Sequence, residues 1–194
     1  MADTDLLTLA EVEDKLGVTG EADLALLQSY ITAASAVIVR KCGPVVREAG
    51  QDDFPITEYF DGTGTATVWV RRPPAYEVTA VAELVGDTWQ LATTWATYPD
   101  GRVVRVDAAN CDVPFAVGRL NVGVSYHPGR VLTTADVPAH FKQACFMIVR
   151  QLWVREQAMG TATYGQPDVW VPTYAVPNAV DELLAGELLP VPVA

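Results

Sequence analysis

The sequence is poor in the residues that build covalent or metal-dependent sites. Its three cysteines, Cys42, Cys111 and Cys145, are widely separated and form no C-x-x-C pair, so their spacing predicts neither a zinc site nor a redox motif. The two histidines also lack a second ligand at metal-binding spacing. We expect His127 in a turn and His140 in the first turn of a helix. No G-x-S-x-G elbow occurs, and the sequence therefore indicates no metal, no cofactor and no catalytic residue.

Long apolar runs are missing as well. No stretch approaches the roughly 18 consecutive apolar residues that a transmembrane helix needs. The opening residues, MADTDLL, have neither the basic start nor the apolar segment of a signal peptide. We therefore expect a soluble protein that is made inside the cell and has no membrane partner.

Positive charge is scarce. Lysine and arginine together number 13 against 24 acids, giving a net charge of −11. Residues 1–23 hold seven acids and one base, and residues 160–194 hold four acids and no base. A chain of this kind does not bind the DNA backbone by releasing counterions. The acidity either serves solubility or repels DNA that lies close by.

Helical patterns lie on both sides of the middle of the chain. We predict helices at about 8–17, 21–42 and 136–159 from apolar residues at helical spacing. Thr8 and Glu11 form a capping-box pattern at the first start. Asp136 or Thr134 is expected to cap the third helix, and Gly160 is expected to end it. Cys42 and Cys145 fall in apolar helical patterns, where a reduced cysteine acts as a small hydrophobe.

Between residues 54 and 132 the period changes to two. Short β-branched and aromatic runs alternate with glycine, proline and aspartate, which predicts about five strands in an antiparallel module. The stretch from Asp61 to Thr65, DGTGT, resembles a glycine-rich phosphate loop. A phosphate loop would need a lysine and a following helix, and here TATVWV follows instead. The pattern predicts a hairpin turn joining ITEYF to TATVWV.

Three tryptophans in the β region allow two interpretations. Trp69, Trp89 and Trp95 could form a sugar-binding face. Aromatic residues in strands more commonly pack in the core or in cross-strand pairs.

The C-terminal segment beyond Gly160 has five prolines and neither lysine nor arginine. Only PNAVDELLAG looks helical, with Asn178 as the cap or Pro177 as the first helical residue, and Gly186 as the stop. The fold class is therefore α+β: a small helical bundle with an inserted antiparallel β module and an extended C-terminal arm that carries a short helix.

The order of these parts resembles a known family, the head–tail connector (adaptor, or head-completion) proteins of long-tailed bacteriophages. The resemblance spans nearly all of residues 6–186. It rests on five segments in this order: LTLAEVEDKLGV, LLQSYITAASAVIVRKCG, TEYFDGTGTATVWVRRPPAYEVTAVAEL, VPAHFKQACFMIVRQLW and YAVPNAVDELLAG. The β module is larger than in the mostly helical members.

The resemblance implies a structural role in the virion neck, without chemistry. Such proteins form a ring, usually of twelve copies, beneath the portal at the capsid vertex, and packaged double-stranded DNA passes through without specific binding. The implied partners are the portal protein, the next neck or tail-completion protein, and further copies of the chain. The implied division is a helical connector core (1–53 and 133–160), a β-rich insertion (54–132) and a C-terminal docking arm (161–194).

The arm offers aromatic and aliphatic anchors for a portal or a neighbouring subunit. The candidate partner-binding residues are Tyr164, Trp170, Tyr174, Val176, Pro177, Leu183 and Leu184. The alternative is that the arm packs back on its own subunit.

The sequence also allows other functions. Another neck or tail protein, such as a stopper or tail terminator, would be richer in β structure. The tryptophans are the only residues that favour a carbohydrate-binding β module, and no set of residues favours an enzyme.

Overall fold

The computed structural model describes residues 4–47, 54–161 and 176–189. The chain divides into two compact units, one made of Met1–Cys42 with Thr133–Ala194 and the other of Gly43–Leu132. The first, the helical unit, is interrupted in sequence by the second, the β unit. No helix in the described ranges is both long and apolar enough to span a membrane.

The described residues of the helical unit form four α-helices and a short 3-10 turn at Thr134–Asp136. The helices are α1 (Leu9–Leu16), α2 (Glu21–Cys42), α3 (Ala139–Thr161) and α4 (Asn178–Leu184). The predicted bounds are confirmed for α1 and α2. The predicted caps of α3 are wrong, because its first hydrogen bonds run to the carbonyl of Pro138, from the N–H groups of Phe141 and Lys142. Gly160 does not end α3, which continues to Thr161.

The start of α1 is held by the predicted capping box. The Thr8 hydroxyl accepts from the Glu11 N–H at 3.3 Å, and the Glu11 carboxylate accepts from the Thr8 N–H at 2.8 Å. Lys142 on α3 donates to the other carboxylate oxygen at 2.7 Å. Burial alone would raise the pKa of Glu11, but the hydrogen bonds from Lys142 and Thr8 outweigh it and lower that pKa. This carboxylate therefore both caps α1 and ties it to α3.

Small side chains set the contact between α2 and α3. Ala34, Ser35, Ala144 and Cys145 are all buried, and the Ser35 hydroxyl lies 3.7 Å from the Cys145 sulfur. Residues this small let two helix backbones approach closely. The Ala/Ser-rich middle of α2 therefore packs against α3.

The C-terminal helix α4 packs back on its own unit. Val180 and Leu184 are fully buried, Lys41 pairs with Asp181, and the N–H of Leu189 donates to the carbonyl of Lys41 at 3.0 Å. Both expected starts of this helix were wrong. Pro177 is its N-cap and Asn178 its first residue, because an extended proline can end the preceding segment while its carbonyl accepts the first helical bond.

In the β unit, the part of the chain that the structure describes forms seven strands in two antiparallel sheets. They are β1 (Ile56–Gly62), β2 (Thr67–Trp69), β3 (Ala75–Val85), β4 (Thr88–Leu91), β5 (Trp95–Thr97), β6 (Arg102–Arg105) and β7 (Gly118–Pro128). One sheet has the order β1-β7-β3-β4 and the other the order β2-β6-β5. The predicted antiparallel module is confirmed, but the predicted number of about five strands is too low. The three-residue strand β5 is too short for an alternating pattern to reveal.

The predicted hairpin at Asp61-Gly62 is wrong. β1 pairs with β7, from Ile56 opposite Tyr126 to Gly62 opposite Gly118, whereas β2 pairs with β6. A Cβ on Gly62 would stand 2.0 Å from the carbonyl oxygen of Ala116, so the glycine serves close approach to another chain segment. The Gly62 N–H donates to Asn121 Oδ1 at 2.7 Å. After Gly62 the chain continues into β2, which belongs to the three-stranded sheet.

The two sheets share one apolar core. Its buried members are Val68, Val70, Val81, Val103, Phe115, Val122, Val124 and Tyr126. The Tyr126 hydroxyl accepts from the N–H of Arg72 at 3.2 Å, and burial, aided by the nearby Glu58, raises the pKa of Tyr126 above its usual value. This core fixes the sheet that carries the exposed surfaces described below.

A buried carboxylate links the two sheets at the edge of this core. Glu83 on β3 is 7% exposed and accepts from Arg105 on β6 at 2.6 Å. Its second oxygen accepts from the N–H of Ala116, in the segment that leads into β7. Because a buried charge without partners is costly, both contacts are needed together.

We predict that Glu83→Gln lowers the free energy of unfolding by roughly 2 kcal/mol or more, because it leaves the half-buried Arg105 guanidinium without its counter-charge. Urea unfolding followed by tryptophan fluorescence measures this. Glu77→Gln, an exposed position on the same strand, is the matched control and should change stability little. Equal stability of the two variants would contradict the role given to Glu83.

Candidate functional site

The two buried thiols are poorly placed for chemistry. Cys42 and Cys145 are buried, as expected, and Cys111 is exposed. Burial raises the pKa of Cys145 to about 12, despite the Ser35 hydroxyl beside it. A thiol with such a pKa stays protonated and unreactive at neutral pH.

The histidines occupy different settings. The prediction that His127 lies in a turn is wrong. His127 lies in β7 and is buried, and the Arg47 guanidinium lies 3.1 and 3.3 Å from its two ring nitrogens. His140 lies in the first turn of α3, as predicted, 3.7 Å from a carboxylate oxygen of Glu187. Among the described residues, no group of three or more His, Cys, Asp and Glu side chains is arranged to hold a metal ion.

The DGTGT segment borders a shallow open depression. Its lining includes Asp61, three threonines and Trp69 but neither lysine nor arginine, so nothing there neutralises a phosphate. The Asp61 carboxylate accepts from the N–H of Leu120 at 2.7 Å. Leu120 has a φ of 49°, a conformation that non-glycine residues adopt only with support. Asp61 therefore has a structural role.

The tryptophans separate into core and surface residues. Trp95 packs against the apolar core, whereas Trp69 is 55% and Trp89 43% exposed. Trp89 meets Tyr59 with ring centroids 5.4 Å apart, and a Cβ on Gly123 would lie 3.4 Å from both rings. The two rings therefore meet over Gly123 of β7, although Tyr59 and Trp89 lie on the outer strands β1 and β4, which do not pair with each other.

Tyr59, Trp89 and Leu91 together form an exposed surface that we call the aromatic platform. Tyr59 is 47% and Leu91 73% exposed. The polar side chains near it satisfy one another, since the hydroxyls of Thr57 and Ser125 lie 2.8 Å apart. A sugar site needs hydrogen-bonding side chains beside its aromatic ring, so this arrangement favours contact with apolar protein surface. Sequence reasoning missed Tyr59 and Leu91, because only the register places them beside Trp89.

The expected docking residues fall into two groups. Tyr164, Trp170 and Tyr174 lie outside the described residues. Val176 and Pro177 are half-buried, Leu183 is 40% exposed, and Leu184 is fully buried within its own unit. On the described part of the arm, Leu183 thus remains available to a partner while Leu184 stabilises the helical unit.

A comparison with protein families identifies the family of this chain. The model of the head completion protein family matches residues 5–185, which include both units. The chain belongs to the head completion protein family. No curated protein sequence matches it.

The fold of this head completion protein recurs in solved structures of gene transfer agent particles. A chain in the neck of an empty particle, computed with C6 symmetry, has a TM-score of 0.59 at 20% identity, over 97% of this chain and 92% of that one. A chain in the neck of the native particle, computed with C12 symmetry, gives 0.56 at 16%, over 96% and 90%. A chain in the native virion gives 0.51 at 20%, over 97% and 92%. The β module therefore has a counterpart in this fold.

Proposed function

We propose that this head completion protein is a structural protein of the virion neck, which forms a ring joining the capsid portal to the tail and extends the DNA channel. The observation that carries the proposal is the family match over residues 5–185. The fold likeness to chains in necks of gene transfer agent particles supports it. The mechanism is mechanical: repeated subunit interfaces add up to a seal around packaged DNA.

We propose twelve copies in this ring. The related neck structures were computed with C6 and C12 symmetry, and a ring of twelve identical subunits is compatible with both orders. A closed ring needs two different complementary surfaces on each subunit, since neighbours meet head to tail. Each contact would bury on the order of 1,000–2,000 Å².

The charges suit a channel that DNA traverses without binding. Asp14 and Glu21, beside the turn between α1 and α2, are exposed, and the whole chain carries a net charge of −11. Acidic groups facing the channel would repel the phosphate backbone over about 8 Å at physiological salt. We therefore propose that packaged double-stranded DNA passes through without specific contacts.

The segment 161–194 is proposed to dock on the portal or a neighbouring subunit through Tyr164, Trp170 and Tyr174, with Val176, Pro177 and Leu183 beside them. α4 is packed against the helical unit through Val180 and Leu184.

Removal of the chain from a particle-producing system tests the neck role. We expect heads without attached tails, and loss of packaged DNA, because the joint between portal and tail is missing. Electron microscopy of the particles, with supply of the chain in trans as the control, measures this. Tailed, DNA-filled particles made in its complete absence would contradict the proposal.

A single substitution tests the docking role. We expect Trp170→Ala to weaken assembly by ~2 kcal/mol or more per subunit, as loss of a buried aromatic anchor does at an interface. The amount of chain retained on purified particles, against wild type at equal expression, reports this. Leu183→Ala removes a smaller exposed side chain and should cost less. Undiminished retention of Trp170→Ala would count against docking through this residue.

A further inference from the structure

The helix α4 is held to the helical unit by few contacts. It has seven residues, of which Val180 and Leu184 are fully buried, and Asp181 pairs with Lys41 at 2.5 Å. Just beyond the helix, the N–H of Leu189 donates to the carbonyl of Lys41 at 3.0 Å. A short element with so few contacts opens at lower cost than the core of its unit.

The place where α4 docks is far from the end of α3. The Glu187 carboxylate, just after α4, lies 3.7 Å from His140 in the first turn of α3. From there α3 continues to Thr161 and has 23 residues in all, which makes it roughly 33 Å long at 1.5 Å per residue. The chain therefore leaves α3 at the end opposite to the site that α4 occupies.

The connection from α3 to α4 is long enough for two routes. Residues 162–177 separate Thr161 from the first residue of α4, and a chain of this length spans at most ~55 Å. The α4 site of the same copy is roughly 33 Å from Thr161. An adjacent copy placed sideways by one subunit width, roughly 35 Å for a unit of this size, has its site about 50 Å away. Covalent geometry therefore allows both sites.

A closed ring favours the second route. Subunits of a ring meet head to tail and need two different complementary surfaces, and α4 with the surface that it covers is such a pair, whose fit is shown within the single chain. Exchange of an identical element keeps every contact, so it costs little. Once copies stand side by side, the site of the neighbour is offered at an effective concentration in the millimolar range.

We propose that α4 of each copy docks on the helical unit of the next copy in the ring, with the contacts that it makes within the single chain. This rests on the proposed neck role and deepens the docking role of 161–194, because it assigns the neighbouring copy, and not the portal, as the partner of α4. Lys41 of one copy then pairs with Asp181 of the next. Each subunit donates one α4 and receives one, which links all copies of the ring.

The pair of Lys41 and Asp181 reports directly on this exchange. Its side chains are 30% and 48% exposed, so a water-soluble carbodiimide reaches them and joins the lysine amine to the carboxylate as an amide. The pair of Lys142 and Glu11, 2.7 Å apart, links α3 to α1 and is the internal control. In the isolated wild-type chain, both links should form within one chain.

Two variants separate links within a copy from links between copies. Lys41→Arg keeps the charge but offers no amine to the reagent, and Asp181→Asn keeps the shape but offers no carboxylate, so neither chain alone can form this link. When the two are produced together, Lys41 of one chain and Asp181 of the other can be joined only across two copies. Thermal unfolding of each purified variant establishes that it folds.

We expect particles made with both variants to yield covalent dimers linked at Lys41 and Asp181, identified by mass spectrometry of the joined peptides. Their level should be about a quarter of that in wild-type particles, because neighbours in the ring are drawn at random. The same mixture as dilute, unassembled chains should yield none. The link of Lys142 to Glu11 should stay within one chain throughout.

A wild-type link of Lys41 to Asp181 that stays within one chain in particles, with no dimer from the variant mixture, would overturn the proposal. Loss of this link from particles that retain the link of Lys142 to Glu11 would also overturn it, because α4 would then have moved to another protein such as the portal. Particles that contain no wild-type chain at all would instead refute the neck role itself.

Discussion

The β unit depends on one buried carboxylate. Glu83 joins β3 of the four-stranded sheet to Arg105 of the three-stranded sheet and holds the N–H of Ala116, so it fixes both sheets and the segment that enters β7. The shared valine-rich core alone would allow the sheets to shift, since apolar contacts have no direction. A charged hydrogen bond in a low-dielectric setting sets a single arrangement. The aromatic platform of Tyr59, Trp89 and Leu91 lies on the four-stranded sheet to which Glu83 belongs.

The helical unit relies on close approach of backbones. Ser35 and Cys145 bring α2 and α3 together, the Glu11 carboxylate links α1 to Lys142 on α3, and α4 closes the unit through Leu184. A subunit that buries an apolar core of its own can present different surfaces to several partners without losing its fold. That property suits a ring component that meets identical neighbours and other neck proteins at once.

Local sequence rules predicted the elements well and their partners poorly. The Thr8–Glu11 box and the length of α2 follow from contacts within a few residues, and both were predictable. The pairing of β1 with β7, which replaces the predicted hairpin at Gly62, was not predictable, because Gly62 contacts Ala116 and Asn121, more than fifty residues away in sequence. The buried position of His127 and the pairing of Tyr59 with Trp89 likewise arise from β-sheet register, which a single sequence does not specify. The docking residues Tyr164, Trp170 and Tyr174 stay a prediction from composition.

The central claim is that the chain is a stoichiometric ring component of the neck. The most direct measurement is its copy number per particle, by quantitative mass spectrometry of purified, DNA-filled virions with the major capsid protein as internal reference. The account predicts about twelve copies, as expected for one closed ring of identical subunits. None, or hundreds, would contradict it, because neither can form a single ring at the portal vertex.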